Sequence, residues 1–512
     1  MDSGVGGGSH AIAKFPQSGE SSNCTKAKIA RPMMAHPDLD SRLAWLRRFR
    51  DGVRMHHVEL CALASEEVGK SPFEALTADV MALVASCNWH LRNARKLLRP
   101  RRVGGGGLFG LGHGVVRHRL PVGRVLVIAT WNYPIQLMGI QLVQAVLAGN
   151  RVVVKPSERA PRTQARLLEL AISAAEPDAA MQGAISARSA TREEGRRVLA
   201  EEHFDHVVFT GSTAVGRAIA EVCAARLIPT TLELSGFDSA IVLADADARA
   251  AARAVFMGFT ANAGQTCMAP RRALVERGAA AAFTDELARL VAGARRVTLV
   301  DGQAAQRSRA VADEAIRAGG RSIAGALEDC DGRTMRPVAV LDCPPDSELF
   351  LGRHFGPALA VRVVDSIDEA MTLHARAGQY LATSIWTRRP AAALVARVQA
   401  CGSSLPQACG SSLVHINSVL LPSAHPAVSL SGHGASGWGV SRGVSGLLAL
   451  TRELTVTCTS SLLSVPLEEP SPKVQSMLSR FIAWPLRVAD PARGRVQSAS
   501  EVRPVRHPQV HS

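Results

Sequence analysis

Two uninterrupted apolar stretches, Val125-Leu126-Val127-Ile128 and Val152-Val153-Val154, flank a helical pattern at 135–147 that closes on Gly149-Asn150. A strand that is apolar on both sides needs both faces covered, which is the condition of parallel strands joined by crossover helices. The same rhythm continues with a helical pattern at 162–175, a strand at 206–209, a helix at 214–225, strands at 230–234 and 240–243, and a helix at 246–262. This predicts an α/β fold built on a parallel sheet. Further on, strands at 272–276, 338–341, 358–363 and 381–386 alternate with helices at 279–292, 303–318 and 367–375, predicting a second α/β unit whose sheet faces the first across a cleft. Ahead of the first strand, apolar residues recur at helical spacing over 38–63 and again over 73–98, which reads as two amphipathic helices. The Gly-rich stretch at 103–120 reads as an extended hairpin or a mobile loop.

Composition narrows the function classes. With 47% apolar residues in 512, the chain can bury more than one core. Its formal charge of +15 is spread along the length among 44 acidic residues, and aromatics are only 4%, so a stacking surface for nucleic acid is not expected. No apolar run reaches the ~20 residues of a membrane span. The ten cysteines form no C-x-x-C pair and no ligand spacing with His, so they read as reduced thiols, with no metal site and a cytoplasmic location expected. Residues 1–36 read as a disordered leader without a secretory pattern, 401–407 as a surface loop, and 461–512 as a flexible basic tail.

Three stretches carry candidate chemistry. In Asn262-Ala263-Gly264-Gln265-Thr266-Cys267-Met268-Ala269-Pro270, a cysteine sits in a Gly-containing loop between a helix and a strand, either a small buried hydrophobe or a presented thiol. In Phe209-Thr210-Gly211-Ser212-Thr213-Ala214-Val215-Gly216 a strand runs into a helix start, either a plain Ser cap or a pyrophosphate cradle formed by free backbone N–H groups and the helix dipole. Lys155-Pro156-Ser157-Glu158 ends a strand at the carboxyl edge, where a nucleotide ribose lies in doubly wound folds.

Together with Trp131-Asn132-Tyr133-Pro134, Leu232-Glu233-Leu234-Ser235-Gly236, Phe355-Gly356-Pro357 and the Gly-rich run at 432–439, these motifs resemble, in order and spacing over 38–459, the aldehyde dehydrogenase superfamily. The Cys267 loop and the Trp-Asn-Tyr-Pro tetrapeptide look most like the branch oxidising medium-chain and aromatic aldehydes. The resemblance implies a Rossmann-type NAD-binding domain (37–235), a catalytic domain (236–413), a return to the first domain with an oligomerisation strand (414–460), and an oligomerisation hairpin at 103–120. It implies oxidation of an aldehyde to a carboxylic acid with NAD, NADP being possible, and a homodimer or homotetramer. By the same resemblance Cys267 is the nucleophile, Asn132 the oxyanion donor and Glu233 the base that hydrolyses the thioester. Lys155 and Glu158 would hold the adenosine ribose, Ser212 with Gly211 and Gly216 the pyrophosphate end, and Trp131 and Phe355 the nicotinamide end.

The chain departs from the family pattern at three places. Arg353 stands where the family has the Glu that binds the nicotinamide ribose, replacing an acceptor by a donor-only guanidinium. Ser235 and Phe237 replace a Gly and a Lys after Glu233, and Ser429-Leu430-Ser431 replaces Pro-Phe-Gly. The alternative reading they raise is a non-catalytic dinucleotide-binding or assembly protein on the same fold. A CoA-acylating dehydrogenase fits less well, because Glu233 offers a hydrolytic base.

Overall fold

The computed structural model describes residues 37–104, 113–389, 411–459, 469 and 471–483. The leader, the 401–407 loop and most of the tail expected from sequence lie outside these residues.

The chain divides into two compact units. In the larger, which takes in residues up to 99 and 118–454, two sheets carry the site. The first runs in the order Gly437–Trp438, Thr230–Glu233, His206–Thr210, Arg124–Ile128, Arg151–Lys155, Ile185–Ala187. Its last five strands are parallel, with Ile128 beside Phe209 and Lys155, and Thr210 beside Glu233. Helix Gln136–Leu147 is buried along every residue. It links the two apolar strands and meets a core that includes Trp45, Leu46, Phe49 and Leu83. That accounts for the absence of a polar face in its sequence.

The second sheet runs Arg321–Ser322, Val338–Leu341, Ala358–Val364, Pro270–Glu276, Asp238–Val242, Ala382–Trp386, Leu413–Ile416. All its pairings are parallel except the first. Helices Ala248–Thr260 and Arg277–Ala292 pack against one another beside this sheet, their small residues Ala251, Ala252 and Ala279 permitting close approach.

The N-terminal helices differ from the two expected. The 38–63 pattern is broken at His56, whose φ and ψ of −101° and 18° are non-helical, giving Leu39–Met55 and His57–Val68. The 73–98 pattern begins at Pro72 behind a Ser71–Glu74 capping box and passes through a π-helical stretch, Ala75–Val80, before Met81–Leu98. Periodicity could not reveal the π-helical stretch, because its extra residue per turn rotates the apolar face without interrupting it. It buries Asp79, which the site uses.

Arg101–Val103 pairs antiparallel with the start of His113–Pro121, Val103 opposite Val115, within a three-stranded sheet completed by Thr451–Thr459; the smaller unit takes in residues 100–117 and those from 455 onward. The extended hairpin, rather than a loop, is thus formed at both its ends. Within the stretch expected to be a flexible tail, Pro472–Ala483 is a helix, with Val474, Met477 and Leu478 exposed.

Candidate active site

The carboxyl ends of the first sheet and the loops of the second enclose a cavity of about 540 Å³. Cys267, Glu233 and Asn132 all line it, as do Trp131, Gly211, Ser212 and Phe355. Of the residues singled out from sequence, Lys155, Glu158 and Gly216 are not in its wall.

The cysteine loop owes its shape to a run of left-handed backbone. Asn262, Ala263 and Gly264 have φ of 52°, 54° and 70°. A Cβ on Gly264 would collide with the carbonyl of Gly356, so the loop lies directly on the Phe355-Gly356-Pro357 turn. Fully buried Arg271 joins the two: its guanidinium donates to the carbonyls of Gly264 (2.9 Å), Thr266 (2.9 Å) and Gly356 (3.2 Å). Sequence reasoning passed over Arg271, although two arginines inside an otherwise apolar strand are a legible signal of a buried structural role.

Asn132 is buried; its Nδ2 donates to the Gln265 carbonyl (3.1 Å) and its Oδ1 accepts from Thr130 Oγ1 (3.1 Å). The second amide hydrogen remains for a ligand oxygen. Beside it, the Tyr133 hydroxyl bonds Thr266 Oγ1 (2.7 Å), and Asn262 Nδ2 donates to the Asn132 carbonyl (2.8 Å). From beneath, Asp79 accepts the backbone N–H of Ile135 (3.2 Å) and Gln136 (2.9 Å), capping the central helix, and forms a buried ion pair with Lys70. Lys70 Nζ in turn sits 3.7 Å from the centre of the Tyr133 ring. Neither Asp79 nor Lys70 belongs to a motif, and only tertiary packing brings them here.

Glu233 ends its strand in the cavity wall. Oε2 accepts from Thr210 Oγ1 (3.4 Å), which itself accepts from Gln141 Nε2 (2.8 Å), while Oε1 meets no donor among the described residues. Burial raises this carboxyl to about 7, with Arg442 and Thr210 opposing. Half-buried Cys267 has its backbone carbonyl bonded by the Gly236 N–H (3.1 Å), tying the cysteine loop to the Glu233 segment. Burial pushes its thiol up to about 12, Glu233 and Asp238 adding to the rise and Arg442 and Arg271 opposing it. At rest the thiol is protonated and Glu233 is poised near neutrality to take a proton.

The cofactor side fits a dinucleotide. Helix Thr213–Ala225 opens onto the cavity, its Ser212 cap accepting the Val215 N–H (3.4 Å). Gly216 packs on Leu234, where a Cβ would overlap the side chain. Trp131 and Phe355 meet edge to face at 5.9 Å in the cavity wall. Lys155 and Glu158 stand along the same carboxyl edge, but Glu158 is shared between Lys155 (3.6 Å) and Arg192 (2.8 Å). Arg192 thus places a second cation beside Glu158, offsetting the repulsion that carboxylate would offer a 2′-phosphate.

A sequence profile of the aldehyde dehydrogenase family matches residues 9–456. The chain belongs to that family. Among its relatives, a Mycolicibacterium smegmatis protein provisionally named as an NADP(+) succinate-semialdehyde dehydrogenase is 31% identical, covering 86% of this chain and 84% of the relative. The benzaldehyde dehydrogenase (NAD(+)) of Pseudomonas putida is 33% identical, covering 69% and 71%. In fold, the crystal structure of an NAD-dependent aldehyde dehydrogenase from Sinorhizobium meliloti superposes with a TM-score of 0.76 at 24% identity, covering 85% of each chain. This aldehyde dehydrogenase is thus an NAD(P)-dependent oxidoreductase acting on aldehydes, and its departures at 235, 237, 353 and 429–431 are those of a divergent member.

Proposed function

We propose that Cys267, Glu233 and Asn132 carry out the oxidation, and that Trp131, Lys155, Glu158, Gly211, Ser212, Gly216 and Phe355 hold NAD(P). The observation that supports this most is the convergence of a cysteine, a near-neutral carboxyl and an asparagine amide on one cavity. Cys267 Sγ adds to the aldehyde carbon as the thiol gives up its proton to solvent. Asn132 Nδ2 stabilises the oxyanion of the resulting thiohemiacetal. NAD(P), when bound, supplies the hydride acceptor. Glu233 then draws a proton from a water that attacks the thioester; the C–S bond breaks, and carboxylic acid and free thiol result. Phe237, Leu381 and Leu430 line the same cavity, favouring an apolar aldehyde, and the benzaldehyde dehydrogenase relative is in keeping with an aromatic one.

Purified protein with NAD or NADP and a panel of aliphatic and aromatic aldehydes, followed by absorbance of the reduced cofactor, tests this reading. Turnover is expected for an apolar aldehyde and should vanish in Cys267→Ala; activity surviving that substitution would remove the mechanism.

We also propose a homo-oligomer assembled through the arm of Arg101–Val103, His113–Pro121 and Thr451–Thr459, supported by the exposure of Val103, Leu454 and Val456 on its strands. A cytoplasmic location is in keeping with free thiols at seven described cysteines. Among the described residues no helix is long and apolar enough to cross a membrane.

A further inference from the structure

Helix Pro472–Ala483 is short for a helix that stands in water, where isolated helices below about 12–15 residues are marginal. It starts well, with proline at its first position and the Ser471 carbonyl accepting the Gln475 N–H (3.0 Å). Yet every residue from 471 to 480 is exposed. A helix of this length draws most of its stability from whatever covers its apolar side.

That side is well defined. In sequence, Val474, Met477, Leu478 and Phe481 recur at i, i+3, i+4 and i+7, a single apolar stripe. Val474, Met477 and Leu478 are 39%, 62% and 38% exposed. Lys473 and Arg480 flank the stripe along one edge, four and three positions from Met477. The helix carries no acidic residue; Glu468 and Glu469 precede it, and after it the sequence adds five arginines against Asp490 and Glu501.

This chemistry selects the occupant. Twelve residues span about 18 Å, so one stripe supplies only a fraction of the ~800 Å² per partner that a stable protein interface buries. Nucleic acid would use the cations and leave the stripe in water. An anionic bilayer uses both: the acyl boundary takes the stripe, and the long Lys473 and Arg480 side chains reach the phosphates of the headgroups. We propose that Pro472–Ala483 lies flat on an anionic lipid surface and brings the enzyme to it. The helix is shorter than the ~20 residues of a span, so the attachment is peripheral and reversible. It is independent of the catalytic and cofactor residues proposed above.

The test is co-sedimentation of the full chain with vesicles of phosphatidylcholine alone, or with about a third phosphatidylserine. The unaltered protein should sediment with the mixed vesicles and at least about thirtyfold more weakly with the neutral ones, since each basic residue near an anionic surface contributes about fivefold. Lys473→Gln with Arg480→Gln should weaken binding to the mixed vesicles about thirtyfold. Met477→Ser with Leu478→Ser should weaken it by more than about tenfold, with turnover of a water-soluble aldehyde unchanged. The inference is overturned if the unaltered protein does not sediment with the mixed vesicles, or sediments equally with both kinds. It is overturned too if the serine variant binds as before, which would assign the attachment to charge alone, as for nucleic acid. A serine variant whose oligomer falls apart without lipid would show that a second copy of the chain covers the stripe, and would also overturn it.

Discussion

The state of Glu233 is open to a decisive measurement. Enclosed in the cavity wall with one weak hydrogen bond to Thr210, this carboxyl titrates at about 7, not the ordinary 4.5. As a general base it works only when ionised, so hydrolysis of the thioester rises with pH through this value and levels off above it. At about pH 6 roughly a tenth of the enzyme carries the ionised base and at about pH 8 roughly nine-tenths, so steady-state turnover limited by thioester hydrolysis should increase about tenfold across the interval. A carboxyl at 4.5 would leave the same interval nearly flat. Glu233→Gln keeps the shape and the Thr210 contact but removes the base; turnover should fall by about 10²–10⁴ and lose its pH dependence. In rapid mixing, the first equivalent of reduced cofactor should still appear in the variant, because the thioester forms and then waits. The reasoning fails if unaltered enzyme shows a flat profile between about pH 6 and 8, or if Glu233→Gln turns over at near the normal rate.

Two further substitutions probe the scaffold. Gly264→Ala forces a left-handed φ on a residue with a Cβ and drives that atom into the Gly356 carbonyl; chemical denaturation should show a loss of more than about 2 kcal/mol, with turnover falling as Phe355 is displaced. Asp79→Asn strands the Lys70 ammonium in the interior, which should cost about 3–5 kcal/mol in the same experiment; a change below about 1 kcal/mol would show that the pair does not hold the Asn132 loop.

Much of the site was readable in the chain because each part is local. Gly211 to Gly216 is a strand end followed by a helix start, and backbone geometry there follows from short-range sequence. The sequence puts Thr210 just after the strand at 206–209 and Glu233 near the end of the strand at 230–234, and the parallel register sets them side by side. The Cys267 loop was singled out by its glycine. What escaped was long-range. Glu158 looked like a lone carboxylate facing a ribose until Arg192, 34 positions later, paired with it. Arg271 looked like one arginine among many in a basic chain, yet it is the clamp that fixes the Cys267 loop on the Phe355 turn.

The sequence by itself determined the α/β architecture and the family, since uninterrupted Val/Ile/Leu strands must be covered on both faces and several spaced motifs recur in one order. It determined the residue types available for chemistry. Only the tertiary structure decided their state. The rise of Glu233 to about 7 and the outward commitment of Arg353 to Glu348 depend on which groups are removed from water and which partners reach them. Desolvation and pairing are properties of the packed chain, set by residues far apart in sequence, and no local pattern encodes them.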